Sequence, residues 1–389
     1  MKVEFQPLDY ASSLVFLVYA AGMTVTPICL VNLSREFALS LSQGGAIEAV
    51  RSFFLLTILL ASGFFAARWG KALSLGISSV VMGSGLLLYS YAPSSGTVLA
   101  AGGLLGSGGG IIEGLLNPLI QDLHPDDSGK YLNIQNAFFS GGVLITVLAG
   151  GELLSRGFSW RIITGTAGLT GIAAGLFFLI LEKKSPHRKI YSASDVLSHK
   201  IAILKTPRFW IFVPLMFIGG GVEGAYTFWS ASYIQLYYRS TALMGGIGTA
   251  CFAGGMVLGR LAGGWFIGQK RLNRLIIISA LSGFAVSLAV PFLNSREALF
   301  IVLFLAGLSI ACFWPSIQSY SAERTSLEPT SVFILLSCAG IPGFALVSWF
   351  MGILGDTIGL NRAFFIVPVL FAVFIILYFI ERRIKISIY

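Results

Sequence analysis

Twelve apolar runs, each about long enough to cross a bilayer, govern what this chain can become. A helical span needs about 20 predominantly apolar residues to cross roughly 30 Å of hydrocarbon. Runs that meet this rule occupy residues 10–33, 42–66, 72–92, 97–121, 132–155 and 162–181, then 209–236, 243–268, 273–293, 297–321, 328–352 and 361–381. In lipid every backbone N–H and C=O must be satisfied within the structure, so such runs fold as helices. Of the 389 residues, 56% are hydrophobic and 11% charged, against roughly 25% charged in a soluble domain. A single soluble core also stops growing at roughly 250–300 residues. The 46 glycines suit helices in lipid, where small residues let backbones approach closely.

The runs predict an all-α membrane protein of twelve transmembrane helices, in two pseudo-symmetric six-helix bundles. The first bundle spans residues 1–181 and the second 209–389, with a polar, basic linker at 182–208. The net charge of +9 follows membrane topology and excludes nucleic acid as a partner. Lys and Arg concentrate on alternate connections, as the positive-inside rule requires. With both termini in the cytoplasm, the inner segments hold eighteen of them, including Arg68, Lys71, Lys183, Lys184 and Arg208, and the outer ends hold six. The expected location is the plasma (inner) membrane. The start, MKVEFQPLDY, lacks a signal-peptide pattern, so the first run is expected to stay as a span. Cys29, Cys251, Cys312 and Cys338 lie inside apolar runs without ligand spacing. They read as packing residues, with no disulfide framework, metal or cofactor implied.

The chain repeats itself. Gly44-Gly45 opens the second run and Gly63 closes it; Gly245-Gly246 and Gly264 do the same in the eighth, at an offset of 201 residues. Runs four and ten match at 197, where Asn117-Pro118-Leu119-Ile120-Gln121 faces Trp314-Pro315-Ser316-Ile317-Gln318. Pro118 and Pro315 are expected to break their helices at matching places.

Charges inside spans cost at least ~2.5–3.5 kcal/mol each on insertion scales, which makes them the candidate functional residues. Five stand there: Glu48, Arg51, Glu113, Glu223 and Arg260. Glu113 lies near the middle of the fourth run, with Asn117 on its face at i+4 and glycines 108–110 before it. A carboxyl in such a place is suited to proton coupling, or it is held neutral by interhelical hydrogen bonds. Glu223 is central to the seventh run, with Tyr226 at i+3 and Ser230 at i+7 on its face and Trp229 nearby. Acid, hydroxyls and rings on one face suit a polyhydroxylated ligand; ordinary packing is the other reading. Glu48 and Arg51 stand at i and i+3, a spacing that lets them pair on one helix. Arg260 stands alone in GMVLGRLAGGW and needs an acid from another helix or a cavity. Asn133 and Asn136, and Trp314 and Gln318, place amides and a ring on single faces, for ligand or for interhelical bonding. His124, His187 and His199 fall in connections without ligand spacing. The chain has no phosphate-binding loop and no nucleophile with a base in its spans, so it is not read as an enzyme.

These features resemble the major facilitator superfamily, and more sharply its fucose and glucose proton-symporter branch, over nearly the whole chain. The resemblance rests on Glu113 followed by Asn117-Pro118, Leu132-Asn133 opening the fifth helix with Asn136 nearby, and Gly221-Val222-Glu223 in the seventh. Gly259-Arg260 in the eighth and GLSIACFWPSI with Pro315 in the tenth complete it. Two departures stand out. The first run reads AAGMTVTPICL, without the aspartate of fucose members, and Ala67 before Arg68 occupies the place of an acid in the loop after the second helix.

The resemblance and the residues together imply proton-coupled import of a neutral sugar or related polyol by alternating access. Glu113 would carry the proton, and Asn117, Asn136, Glu223, Tyr226, Trp229, Trp314 and Gln318 would bind solute. Glu48, Arg51 and Arg260 would be structural or gating charges. The partners expected are that small solute, protons and the lipid bilayer, and the chain is expected to be monomeric. An exporter of amphiphilic or drug-like molecules and a nutrient sensor that binds without transport stay open as alternatives.

Overall fold

The computed structural model describes residues 5–124, 128–184, 193–266, 272–325 and 329–383. Among them there are fifteen α-helices and no strand. The first six are α1 (Pro7–Phe37), α2 (Leu41–Trp69), α3 (Lys71–Ser90), α4 (Ser95–Leu123), α5 (Ser128–Ser155) and α6 (Trp160–Lys184). A short α7 (Ala193–Leu204) lies within the stretch read as a polar linker. Then come α8 (Phe209–Tyr237), α9 (Ala242–Phe266), α10 (Leu272–Ala289), α11 (Arg296–Ile310), α12 (Phe313–Thr325), α13 (Pro329–Ile358), α14 (Leu360–Ala363) and α15 (Ile366–Arg383). Twelve stretches are long and apolar enough to cross a membrane, and each overlaps one expected run. Helices outrun their apolar stretches by several residues, because polar end residues still make intrahelical bonds beyond the hydrocarbon. His187 and the basic residues Arg188 and Lys189 lie outside the described residues.

The chain divides into two compact units: residues 1–39, 46–193 and 241–247, and residues 40–45, 194–240 and 248–389. In the first, α3 lies against α4 and α6, and α1 against α5 and α6. In the second, α10 lies against α11 and α15, and α8 against α13. The same pairings thus recur.

The recurrence extends to single atoms at the 201-residue offset. Ser94 caps α4 by accepting from the Thr97 N–H, and Ser295 caps α11 by accepting from the Ala298 N–H. Each cap satisfies an orphan donor of the first helical turn. A Cβ at Gly106 would meet the carbonyl oxygen of Arg51, and one at Gly307 would meet that of Phe252. The α2–α4 and α9–α11 crossings are therefore backbone-close at equivalent points, as small residues permit.

The division places the first turn of α2 with the second unit and that of α9 with the first. The Asp356 carboxylate in α13 accepts from the N–H groups of Leu41 and Ser42, at 2.9 and 2.8 Å. The Ser155 hydroxyl at the end of α5 accepts from the Leu243 N–H at 2.7 Å. These caps too are 201 residues apart.

One expectation is corrected. Pro118 and Pro315 do not break their helices at matching places. α4 continues through Pro118, whereas the tenth span is interrupted at Ala311–Cys312 and Pro315 sits in the first turn of α12. A proline there forfeits no intrahelical hydrogen bond, since first-turn N–H groups have no partner in the helix. The interruption comes before it, between α11 and α12. The twelfth span is likewise two helices, α14 and α15.

Candidate functional site

In the first unit, the glycine run of α4 brings a ring against it. A Cβ at Gly109 would stand 3.1 Å from the Tyr19 ring, so α1 can lay that tyrosine flat along α4. The Tyr19 hydroxyl then donates to Oε2 of Glu113 at 3.1 Å. Phe139 of α5 packs against the same ring, 5.8 Å between centroids. One turn beyond Glu113, the Asn117 Oδ1 is buried without a hydrogen-bond partner among the described residues. A buried acceptor left unpaired costs about 1–3 kcal/mol, which a donor from a bound solute would recover.

Glu48 and Arg51 form the pair that their spacing predicts. Arg51 donates through Nε to Oε2 of Glu48 at 3.0 Å and through an amino group to Oε1. The Ser52 hydroxyl adds a bond to Oε1 at 3.1 Å. The two charged side chains are 4% and 1% exposed, so the pair is closed to solvent. Asn136 is half-buried in α5, and its carbonyl accepts from the Ser140 hydroxyl.

In the second unit, Arg260 of α9 finds the acid it requires. Its guanidinium is 3.7 Å from Oε1 of Glu223 on α8, with the two side chains 19% and 21% exposed. Its Nε donates to the Ala311 carbonyl at 3.2 Å, at the interruption of the tenth span. The Cys312 thiol donates to the Gly259 carbonyl at 3.3 Å. A broken helix leaves carbonyls without partners, and α9 supplies some of what is missing.

The remaining predicted residues are held by packing. Tyr226 is 1% exposed, between the rings of Phe252 and Phe364 at 5.3 and 6.0 Å. Its hydroxyl has no hydrogen-bond partner among the described residues. Trp229 is fully buried, and its indole N–H donates to the Ser348 carbonyl at 2.9 Å. The half-buried Trp314 lays its ring against Gly340. The Gln318 amide donates to the Phe333 carbonyl and the Ser337 hydroxyl, at 3.2 and 3.1 Å, which ties α12 to α13.

Sequence reasoning missed two polar groups at helix ends. Asp9, in the first turn of α1, is fully buried and 2.7 Å from His124 Nε2, whose ring stacks on Tyr131 at 3.5 Å. Glu381, near the end of α15, is fully buried and accepts from Arg208, Arg324 and the Tyr320 hydroxyl. Both acids lie at or beside the margins of their apolar runs, where a charge reads as ordinary. In the last turn of α2, Arg68 is exposed, and Lys71, which opens α3, reaches Asp122 at 2.9 Å and the Pro118 carbonyl at 3.2 Å.

Twelve spanning helices, repeated packing and charges lodged deep in the spans define a polytopic membrane transporter. The sequence model of the Major Facilitator Superfamily matches residues 11–281, and the chain belongs to that superfamily, whose members are transporters and not enzymes. Membrane protein MosC of Rhizobium meliloti is 25% identical over 354 residues, 89% of this chain and 82% of that protein. An uncharacterized MFS-type transporter of Yersinia pestis is 23% identical over 306 residues, 78% of this chain and 77% of that one. Among solved structures, a bacterial homolog of the human lysosomal transporter Spinster, inward-facing and occupied, superimposes with a TM-score of 0.77. Its identity is 16%, with 98% of both chains covered. The inward-facing, unoccupied form of a bacterial Spinster homolog gives 0.77 at 15% identity, over 97% of this chain and 96% of that one.

Proposed function

We propose that this chain is a proton-coupled secondary transporter that imports a neutral sugar or related polyol, in the plasma membrane with both termini in the cytoplasm. The observation that carries this reading is the Glu113 group. It joins a carboxyl in mid-span, a tyrosine hydroxyl donating to it, and an Asn117 carbonyl oxygen one turn away that lacks a donor among the described residues. A carboxyl can gain and lose a proton, and the orphaned amide oxygen accepts from a solute hydroxyl.

The test is uptake into vesicles under an imposed inward proton gradient, over a panel of sugars and polyols. Glu113→Gln mimics the protonated acid at nearly constant volume. It is expected to abolish accumulation above equilibrium while solute exchange across the membrane persists. Accumulation at the wild-type level in that variant would remove Glu113 as the proton site.

A second reading, export of amphiphiles, draws on the Glu223–Arg260 pair, because a carboxylate already neutralised by a guanidinium suits a structural role. Binding by the solubilised protein separates the two. In the sugar reading, Glu223→Ala loses a solute contact worth ~1–3 kcal/mol, roughly ten- to hundredfold in affinity. If the parent binds only lipophilic compounds, export takes the place of import.

A further inference from the structure

We infer that the end of α7 and the start of α8 form a membrane-surface platform for anionic lipid, with an apolar face in the lipid boundary and basic side chains beside it that hold acidic headgroups. The inference goes beyond the transport reading and depends on neither its solute nor its proton.

The platform lies in a stretch whose composition reads as a plain basic linker. Residues 194–240 and 248–389 belong to one compact unit, so α7, α8 and α15 are held together there. The last turn of α7 is two-sided. Ile203 is buried, whereas Ile201 and Leu204 are exposed. Three residues apart, those two share one helix face. Lys205 continues that face at i+4 from Ile201, since its N–H still donates to the Ile201 carbonyl at 3.1 Å. Its side chain is exposed as well.

Trp210 fixes the height of this face. It is the second residue of α8, within the stretch Phe209–Tyr237 that is long and apolar enough to cross a membrane, and its ring is exposed. Its indole N–H donates to the Leu204 carbonyl at 2.9 Å, so α7 ends at the level of the first turn of a span. The joint is stiff. The N–H groups of Thr206, Phe209 and Trp210 donate to the carbonyls of Ile203, Thr206 and Pro207 at 3.0 to 3.2 Å, and α7 cannot swing from α8 without breaking them. A tryptophan at that level sits where its ring is apolar and its N–H is satisfied, as at membrane interfaces. Leu204 and Ile201 then enter the acyl boundary as the apolar face of an in-plane helix does. The Lys205 stem follows them while its ammonium reaches the headgroups.

The neighbouring charge selects the lipid. Arg208 donates to Glu381 at 2.9 Å, which brings the end of α15 against the start of α8. The next residues, Arg382 and Arg383, are exposed, as is Lys205. None of the three forms an ion pair among the described residues. The exposed acid of the adjoining α12 is Glu323. Three open cations beside an apolar face complement a headgroup of net negative charge; a zwitterionic headgroup offers them none.

The test uses the full chain in lipid nanodiscs without solute. The probe is phosphatidylglycerol brominated in its acyl chain, compared with brominated phosphatidylcholine at the same mole fraction. Bromine quenches a tryptophan only at close approach, so only lipid beside the ring gives a signal. The Trp210 emission is wild type minus Trp210→Phe, which keeps a ring in place. Brominated phosphatidylglycerol is expected to quench it at least about twofold more than brominated phosphatidylcholine. In Lys205→Gln/Arg382→Gln/Arg383→Gln the ratio is expected to fall to about one, with both lipids still quenching. These side chains are exposed and unpaired, so that variant is expected to stay monodisperse. Should Trp210→Phe not fold, Leu204→Trp supplies a second reporter, read as its gain over wild type. If neither lipid quenches the reporter, the face is turned from the membrane and the platform is refuted. Equal quenching by the two lipids in wild type overturns the anionic assignment. A preference that survives the triple variant overturns Lys205, Arg382 and Arg383 as its source.

Discussion

Replacing Gly106 by alanine tests the repeated helix crossing on which the described fold depends. The added methyl would meet the Arg51 carbonyl oxygen, with its carbonyl carbon at 3.0 Å and the Leu55 nitrogen at 3.2 Å. All three are backbone atoms, so no side chain can swing aside and α2 must retreat from α4. Overpacking of this kind costs roughly 1–3 kcal/mol. Alanine recovers about 1 kcal/mol of helix propensity over glycine, so the net loss is ~0–2 kcal/mol, and the deficit against an alanine placed in open space is ~1–3 kcal/mol. Gly307→Ala meets Phe252 and Met256 in the same way and is expected to lose a similar amount. Gly254 supplies the control, since it lies within α9 with nothing among the described residues within 4 Å of its would-be Cβ. Gly254→Ala is expected to match or exceed wild-type stability. Thermal unfolding in detergent, read alongside monodispersity, ranks the three variants. Equal stability of Gly106→Ala and Gly254→Ala would refute the close α2–α4 crossing.

Further expectations concern the helix ends and the aromatic face. Glu381→Ala leaves Arg208 and Arg324 facing one another, 12% and 18% exposed, and is expected to cost ~3 kcal/mol in unfolding assays. Arg208→Ala should cost less, because Arg324 keeps the acid paired. Asp356→Ala removes the acceptor of two N–H groups and Ser155→Ala that of one; the first should lower stability by about 1 kcal/mol and the second by less. Trp229→Phe removes the bond to the Ser348 carbonyl and should cost about 1 kcal/mol with solute affinity kept. Affinity lost at unchanged stability would instead place Trp229 against the solute.

The spans were legible because length and hydropathy suffice to define them, and the Glu48–Arg51 pair because its contact is local to one helix. Contacts between helices were legible only where the chemistry compelled a partner. Arg260 demanded an acid, yet nothing in the spacing chose Glu223. Tyr19 reads as one more aromatic in an apolar run, and only packing of α1 on α4 directs its hydroxyl to Glu113. The break in the tenth span leaves a mark in the repeat itself. The repeat offset is 201 at Gly106 and Gly307 but 197 at Pro118 and Pro315. The tenth span is thus four residues short, about one turn of helix, across the stretch where α11 ends and α12 begins. Tyr226 and Trp229 share the neighbourhood of Glu223 in sequence, but periodicity cannot tell a ring in a cavity from one packed against Phe364 or α13.

The two ion pairs have different consequences for how the chain enters the membrane as it leaves the ribosome. Arg51 carries its counter-charge on its own helix, so α2 can partition into lipid as a neutral segment before any other span is made. Arg260 cannot. Its acid lies on α8, synthesised just before, and its carbonyl partner at Ala311 is made a full span later. The α8–α9 segment is therefore expected to integrate as a hairpin, with Glu223 holding the arginine until α11 is in place. In a chain truncated after α9, Glu223→Leu should reduce integration of α9, whereas Glu48→Leu should leave it unchanged. Complete integration of α9 without Glu223 would show that the pair forms only after insertion.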